Sequence, residues 1–138
     1  MSITATCLCG DVSYAIEGPL REVLHCHCET CRKAHGAPFR SRASAPIGAV
    51  RWIRGEQSVS YFESSPGVQR GFCRRCGSPM LTRSAFLRYT IGVPISMIDQ
   101  DAGLHPSMHI FVRSKVPWIE ILDGLPQFET VPCAESWP

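Results

Sequence analysis

Cys7-Leu8-Cys9-Gly10-Asp11-Val12-Ser13-Tyr14-Ala15-Ile16 sets a metal-ligand spacing directly against a strand pattern. Past the cysteine pair, Val12, Tyr14 and Ile16 alternate with Ser13 and Ala15, the period of two that sends successive side chains to opposite faces of a strand. Gly10 closes the pair, and glycine permits the left-handed backbone with which a loop turns its amide N–H groups toward thiolate sulfur. The same arrangement returns at Cys73-Arg74-Arg75-Cys76-Gly77. Four thiolates from two such loops, Cys7, Cys9, Cys73 and Cys76, are the donor set of a closed, tetrahedral structural zinc site. The alternative, a pair of disulfides, would require Cys7 and Cys9 to close a very small and strained ring.

A third cluster, Cys26-His27-Cys28-Glu29-Thr30-Cys31, offers three thiolates and no obvious fourth donor. Catalytic zinc keeps three protein ligands and one open position. With Cys26, Cys28 and Cys31 as ligands, the soft open position suits an incoming thiol, whose pKa the metal would lower. His25 and His27 flank the cysteines, but an immediate neighbour on extended backbone points to the opposite face. His35 stands a short turn beyond Cys31 and could complete a second structural site instead. Arg32, Lys33, Arg40 and Arg42 could grip the carboxylates of an anionic thiol, or simply be solvated. Gly36-Ala37-Pro38-Phe39 reads as a candidate pocket wall, because small residues allow close approach beside a metal.

Composition limits the alternatives. The chain has 138 residues with 44% hydrophobic and 19% charged content, which fits one globular domain spanning 1–138 and excludes disorder as the main state. Eleven glycines and eleven prolines favour turns over long helices. A net charge of +2 is too small to argue for nucleic acid by itself. No stretch approaches a membrane span, and the N-terminus shows no secretory leader, so the expected location is the cytoplasm, where close-set cysteines bind metal more often than they pair.

Strand patterns recur along the chain: Glu22 to His25, Phe39 to Ala45, Val50 to Arg54, Ser58 to Phe62, Tyr89 to Ile91 and His109 to Val112, while Gln69 to Phe72 brings the chain back to the second cysteine pair. Turn signals separate them, at Gly18-Pro19, Pro46 to Gly48 and Ser64-Ser65-Pro66-Gly67. A short helix or turn is expected within Ile95 to Asp101. The expected class is mainly β, with short strands and little helix. Phe39, Trp52, Phe62 and Phe111 are core candidates at strand spacing, His109 and Trp118 are expected to pack, and Lys115 has a lesser claim on the site. From Pro126 onward the chain reads as a tail.

Three stretches together resemble the glutathione-dependent formaldehyde-activating enzyme family, which includes centromere protein V. They are Cys7-x-Cys9-Gly10-x-Val12-x-Tyr14, then Cys26-His27-Cys28-x-x-Cys31-Arg32-Lys33-x-x-Gly36-Ala37-Pro38-Phe39, then Phe72-Cys73-x-x-Cys76-Gly77. His109-Ile110-Phe111-Val112-x-Ser114-Lys115-x-Pro117-Trp118, followed by Asp123-Gly124-Leu125-Pro126, is similar to the family's closing signature. The resemblance runs from about Ala5 to Glu129, leaving 130–138 as tail. It implies a zinc-containing β-tent of antiparallel sheets. It also implies a structural zinc on Cys7, Cys9, Cys73 and Cys76 and a labile catalytic zinc on Cys26, Cys28 and Cys31, with a glutathione-type thiol as partner. The implied activity is a carbon–sulfur lyase that reversibly joins formaldehyde and glutathione as S-hydroxymethylglutathione, with Arg32, Lys33, Gly36 and Phe39 at the thiol substrate.

Two other readings stay open at this point. One is a non-catalytic zinc module for protein or nucleic acid, using Arg70, Arg74, Arg75, Arg83 and Arg88 with Trp52 and Phe72 as stacking rings. The other is a thiol redox enzyme relying on Cys133, which lies outside the motifs and has no basic neighbour to lower its pKa.

Overall fold

The structure, a computed structural model, describes residues 2–133. They divide into two compact units, one built from 2–21 with Ala43–Leu104 and the other from Glu22–Arg42 with 105–133. The last five residues of the expected tail lie outside the described residues.

The first unit is a pair of antiparallel sheets. Strand β1 (Ser2–Thr6) pairs with β2 (Ser13–Glu17), Ala5 opposite Tyr14, and β2 pairs on its other side with a later strand, β5 (Val50–Arg54), Tyr14 opposite Trp52. The second sheet of this unit is a meander of β6 (Val59–Ser65), β7 (Val68–Cys73), β8 (Pro79–Ser84) and β9 (Thr90–Pro94). β5 matches the alternation from Val50 to Arg54, and β1 alternates as well, with Ile3 and Ala5 turned inward between Ser2, Thr4 and Thr6, whereas β8 carries no clear period.

Inward side chains of these sheets make the core, with Val12, Tyr14, Ile16, Met80 and Val93 all fully buried. A buried phenol needs a partner, and the Tyr14 hydroxyl donates to the Met80 carbonyl at 2.6 Å. Trp52 meets the Tyr14 ring edge-on at 5.5 Å. Phe62, a core candidate from its spacing, is instead 64% exposed, because β6 is the end strand of its meander and that face stays uncovered.

In the second unit β3 (Arg21–Cys26) runs into α1 (Glu29–His35), and β4 (Arg40–Pro46) carries the chain on toward the first unit. β3 pairs with β10 (His109–Ile110), His25 opposite His109 and Cys26 opposite Ile110. This ladder is parallel where the resemblance implies antiparallel sheets. A parallel partner requires a long connection, and β10 follows β3 only after the chain has built the whole meander. Leu24, Cys26, Cys31, Met108 and Ile110 form the core here, with Phe111 and Phe128 against it. The stretch read as tail is partly structured: Pro126 accepts from the His109 N–H at 2.9 Å, Phe128 from Val112 at 3.0 Å and Thr130 from Phe111 at 2.8 Å. Trp118, expected to pack, is 70% exposed. Among the described residues no helix is long and apolar enough to cross a membrane.

Candidate metal centres

Both cysteine loops of the first unit are hairpin turns. Cys7-x-Cys9-Gly10 connects β1 to β2, and Cys73-x-x-Cys76-Gly77 connects β7 to β8. They share one hydrogen-bond plan. Gly10 N–H donates to the Cys7 carbonyl at 3.0 Å, as Gly77 N–H does to that of Cys73 at 2.7 Å. Each loop is then closed across its base, Cys7 N–H to Val12 at 3.0 Å and Cys73 N–H to Ser78 at 2.9 Å. Both glycines have positive φ, 85° and 78°, and a methyl group at either would meet open space, so conformation and not room demands glycine.

The four sulfurs converge, with Cys7 to Cys9 at 3.6 Å and Cys9 to Cys73 at 3.8 Å. A tetrahedron with zinc–sulfur bonds near 2.3 Å has edges of about 3.8 Å, and a disulfide would bring two sulfurs to about 2.05 Å. None of the four is in a disulfide. The donor set fits one tetrahedral ion. The Val12 N–H points at Cys7 Sγ at 3.3 Å.

Ser78, unmarked in the sequence, joins the two loops: its hydroxyl lies 3.3 Å from Cys76 Sγ and accepts from the Leu8 N–H at 3.0 Å. That hydroxyl, with backbone N–H groups of Ser78 and Cys9, lowers the Cys76 pKa to about 5. At Cys9 the Asp11 N–H favours the thiolate, but desolvation and the sulfurs of Cys7, Cys73 and Cys76 prevail and raise its pKa to about 12. One thiolate forms easily in this cluster and a second is resisted, which is the electrostatic situation a divalent cation relieves.

In the second unit Cys26 ends β3, Cys28 is the N-cap of α1 and Cys31 sits in its first turn. Cys28 Sγ accepts from the Cys31 N–H at 3.3 Å, so the thiol does the work of a capping side chain. The three sulfurs lie within 4.8 Å of one another, and among the described residues no histidine, acid or further cysteine joins the group. The neighbouring sulfurs of Cys28 and Cys31, and then burial, push the Cys26 thiol far up. The trio is crowded, half-buried and three-coordinate on the protein side, a fit for a thiophilic ion with one position left over.

The residues expected beside the trio take different roles. Lys33 pairs with Glu29 at 3.0 Å along the exposed face of α1. The Arg32 Nε is buried without a hydrogen-bond partner. Gly36 is the left-handed C-cap of α1, φ 59°, its N–H donates to the Arg32 carbonyl, and a methyl there would meet no protein atom within 4 Å. Phe39 packs on the rings of His25 at 4.6 Å, His27 at 5.0 Å and His109 at 6.0 Å. Lys115 Nζ is committed to the carbonyls of Val116 and Ile119, at 2.9 and 2.6 Å. In the first unit Arg75 pairs with Asp11 at 3.1 Å, and Arg83 lies 3.9 Å over the Tyr61 ring.

Histidines from distant segments meet in a constellation that no local motif marks. His27 Nε2 is 2.8 Å from His109 Nδ1, His109 Nε2 is 2.7 Å from Asp123 Oδ2, and His25 Nδ1 is 2.7 Å from Ser41 Oγ. His27 and His109 are buried. Burial first, and then the nearby His109, lowers the His27 pKa to about 4 and lowers that of His25.

The family model described as glutathione-dependent formaldehyde-activating enzyme matches residues 2–114. The chain belongs to that family. Both cysteine clusters fall inside the match, whereas Asp123 lies beyond it. A crystal structure of a Rhodobacter sphaeroides protein is similar in fold, with a TM-score of 0.62 over 91% of this chain and 98% of that one, at 21% identity.

Proposed function

We propose that this member of the glutathione-dependent formaldehyde-activating family is a carbon–sulfur lyase that interconverts a glutathione-type thiol and formaldehyde with their S-hydroxymethyl adduct. The observation that carries the reading is the trio Cys26, Cys28 and Cys31, three converging sulfurs with no fourth protein donor among the described residues. In this reading zinc is held by that trio and a second, structural zinc by Cys7, Cys9, Cys73 and Cys76. The chemistry a bound zinc supplies at the trio is acidification of an incoming thiol, which then remains thiolate at neutral pH.

The forward step is an addition. The thiol gives up its proton to solvent, its sulfur forms a bond to the carbonyl carbon, the C=O π pair moves to oxygen, and that oxygen takes a proton from solvent; the reverse step undoes each change. The chain's part is to hold and orient. Cys28 keeps its sulfur aimed by capping α1, and Cys31 is fixed on the same helix, so two ligands share one rigid element. Arg32 follows Cys31 directly and has an unpaired, buried Nε, which suits it to a substrate carboxylate. Lys33 adds positive charge one residue on, Gly36 ends the helix, and Phe39 braces the adjoining histidines.

The test is exchange between formaldehyde and its glutathione adduct, followed by NMR magnetisation transfer because the uncatalysed reaction also runs. The wild-type protein should accelerate exchange, and Cys28→Ser should lose that acceleration while remaining folded, since serine still caps a helix. An undiminished rate in Cys28→Ser would end this reading.

A further inference from the structure

His25, His109 and Asp123 each present one donor atom, and the three atoms lie within 4.8 Å of one another. We propose that these residues form a third metal site, with a two-histidine, one-carboxylate donor set that takes a divalent first-row transition ion. Its chemistry differs from that of the cysteine clusters: imidazole and carboxylate suit zinc, iron(II) or cobalt(II), with no thiolate to select a soft ion. The proposal stands independently of the lyase reading, because it shares no donor with the sulfur trio.

The geometry of the donors carries the argument. A metal-binding histidine normally has its other ring nitrogen held by an outer partner, and a ligating carboxylate is itself hydrogen-bonded. All three donors here are held in this way. His25 has Nδ1 on Ser41 Oγ at 2.7 Å, which leaves Nε2 for an ion. His109 has Nδ1 on His27 Nε2 at 2.8 Å, which leaves Nε2, the atom that now meets Asp123. Asp123 has Oδ1 on the Leu125 N–H at 3.0 Å, which leaves Oδ2.

The spacing also fits. His109 Nε2 and Asp123 Oδ2 are 2.7 Å apart. With bonds near 2.1 Å, adjacent donors stand about 3.0 Å apart on an octahedral face and about 3.4 Å apart in a tetrahedron. A few tenths of an ångström of opening exchanges the hydrogen bond for a shared ion. Asp123 has the freedom to open, for its side chain is 42% exposed while that of His109 is 3% exposed. The same exposure provides the entry path. Phe39 closes the other side, packed against both histidine rings.

Two of the three donors come from paired strand positions, since His25 and His109 are direct neighbours in the parallel β3–β10 ladder. The third comes from the loop that follows. His27, whose ring tilts against His109 at 5.0 Å, is the outer partner of this site rather than a ligand of the sulfur trio. That gives a purpose to the histidine lodged between two cysteines, which the backbone directs away from them.

The experiment is cobalt(II) uptake by the full-length protein, followed by native mass spectrometry and absorption together. Cobalt on the cysteine clusters gives intense sulfur-to-metal charge transfer, and cobalt on the proposed site adds only weak ligand-field bands. The wild-type protein should take up one more equivalent than Asp123→Asn, with the charge-transfer intensity the same in both. His109→Gln should lose the same equivalent. Should His109→Gln fail to fold, Asp123→Asn still decides, since its side chain is partly in solvent. Ser41→Ala should retain the equivalent with affinity weakened about 10–100-fold. Equal uptake by wild type and Asp123→Asn, or an extra equivalent that carries thiolate charge transfer, would overturn the site and leave the three residues as a hydrogen-bonded structural cluster.

Discussion

Ser78 shows how much of a metal site can rest on a residue that no motif marks. Its one hydroxyl faces Cys76 Sγ and the Leu8 N–H, tying the two loops together. Ser78→Ala should cost about 0.5–1.5 kcal/mol for the hydrogen bonds it removes, the Leu8 N–H being exposed to water, read from urea denaturation. Zinc should also compete less well against a chelator, by about 10–100-fold. Unchanged values for both would mean that Ser78 is a bystander. The cysteines themselves were legible because ligand spacing is local in sequence. Ser78 was not, since its second partner lies 70 residues away. The same reason hid the contact of Asp123 with His109, although His109 does pack as expected, buried and hydrogen-bonded at both ring nitrogens.

At the scale of elements, the glycine after each cysteine pair was readable, because the positive φ that a loop needs belongs to one residue. Gly55 was not, although it matters more. A methyl group there would stand 2.0 Å from the Asp11 carbonyl oxygen, inside the turn that carries Cys7 and Cys9. Gly10→Ala and Gly77→Ala should each cost about 1–2 kcal/mol for placing an L-residue at positive φ. Gly55→Ala should cost clearly more, because backbone must move as well. Thermal denaturation of the three variants ranks them, and equal losses would contradict the close approach. The one α-helix among the described residues was also hidden: α1 has seven residues, is capped by a cysteine and follows an extended run, so no 3.6-residue apolar period marks it. Strand β1 carries a short alternation of its own, Ile3 and Ala5 between Ser2, Thr4 and Thr6. The parallel β3–β10 pair could not be read from alternation, which carries no direction.

For the whole molecule, the two compact units each contain one cysteine cluster. Structural zinc in small sites contributes an apparent 10–16 kcal/mol, roughly the entire net stability of a domain at about 5–15 kcal/mol. Cys73→Ser should therefore remove the cooperative unfolding transition, as should exhaustive chelation, whereas Cys28→Ser should retain it; calorimetry distinguishes the two. The mainly β class was legible from short alternating runs and frequent turns, and family membership from the order and spacing of the cysteines. Roles that depend on which side chains meet across distant segments were not.

The central claim is that the Cys26, Cys28 and Cys31 trio leaves a position for an outside thiol. Titration calorimetry with glutathione, on wild-type and Cys28→Ser protein whose zinc content is counted in the same samples, tests it most directly. The account predicts one glutathione bound per wild-type chain and none by Cys28→Ser, with the zinc of the four-cysteine site present in both. Equal binding by the two proteins, or no binding by either, would contradict it.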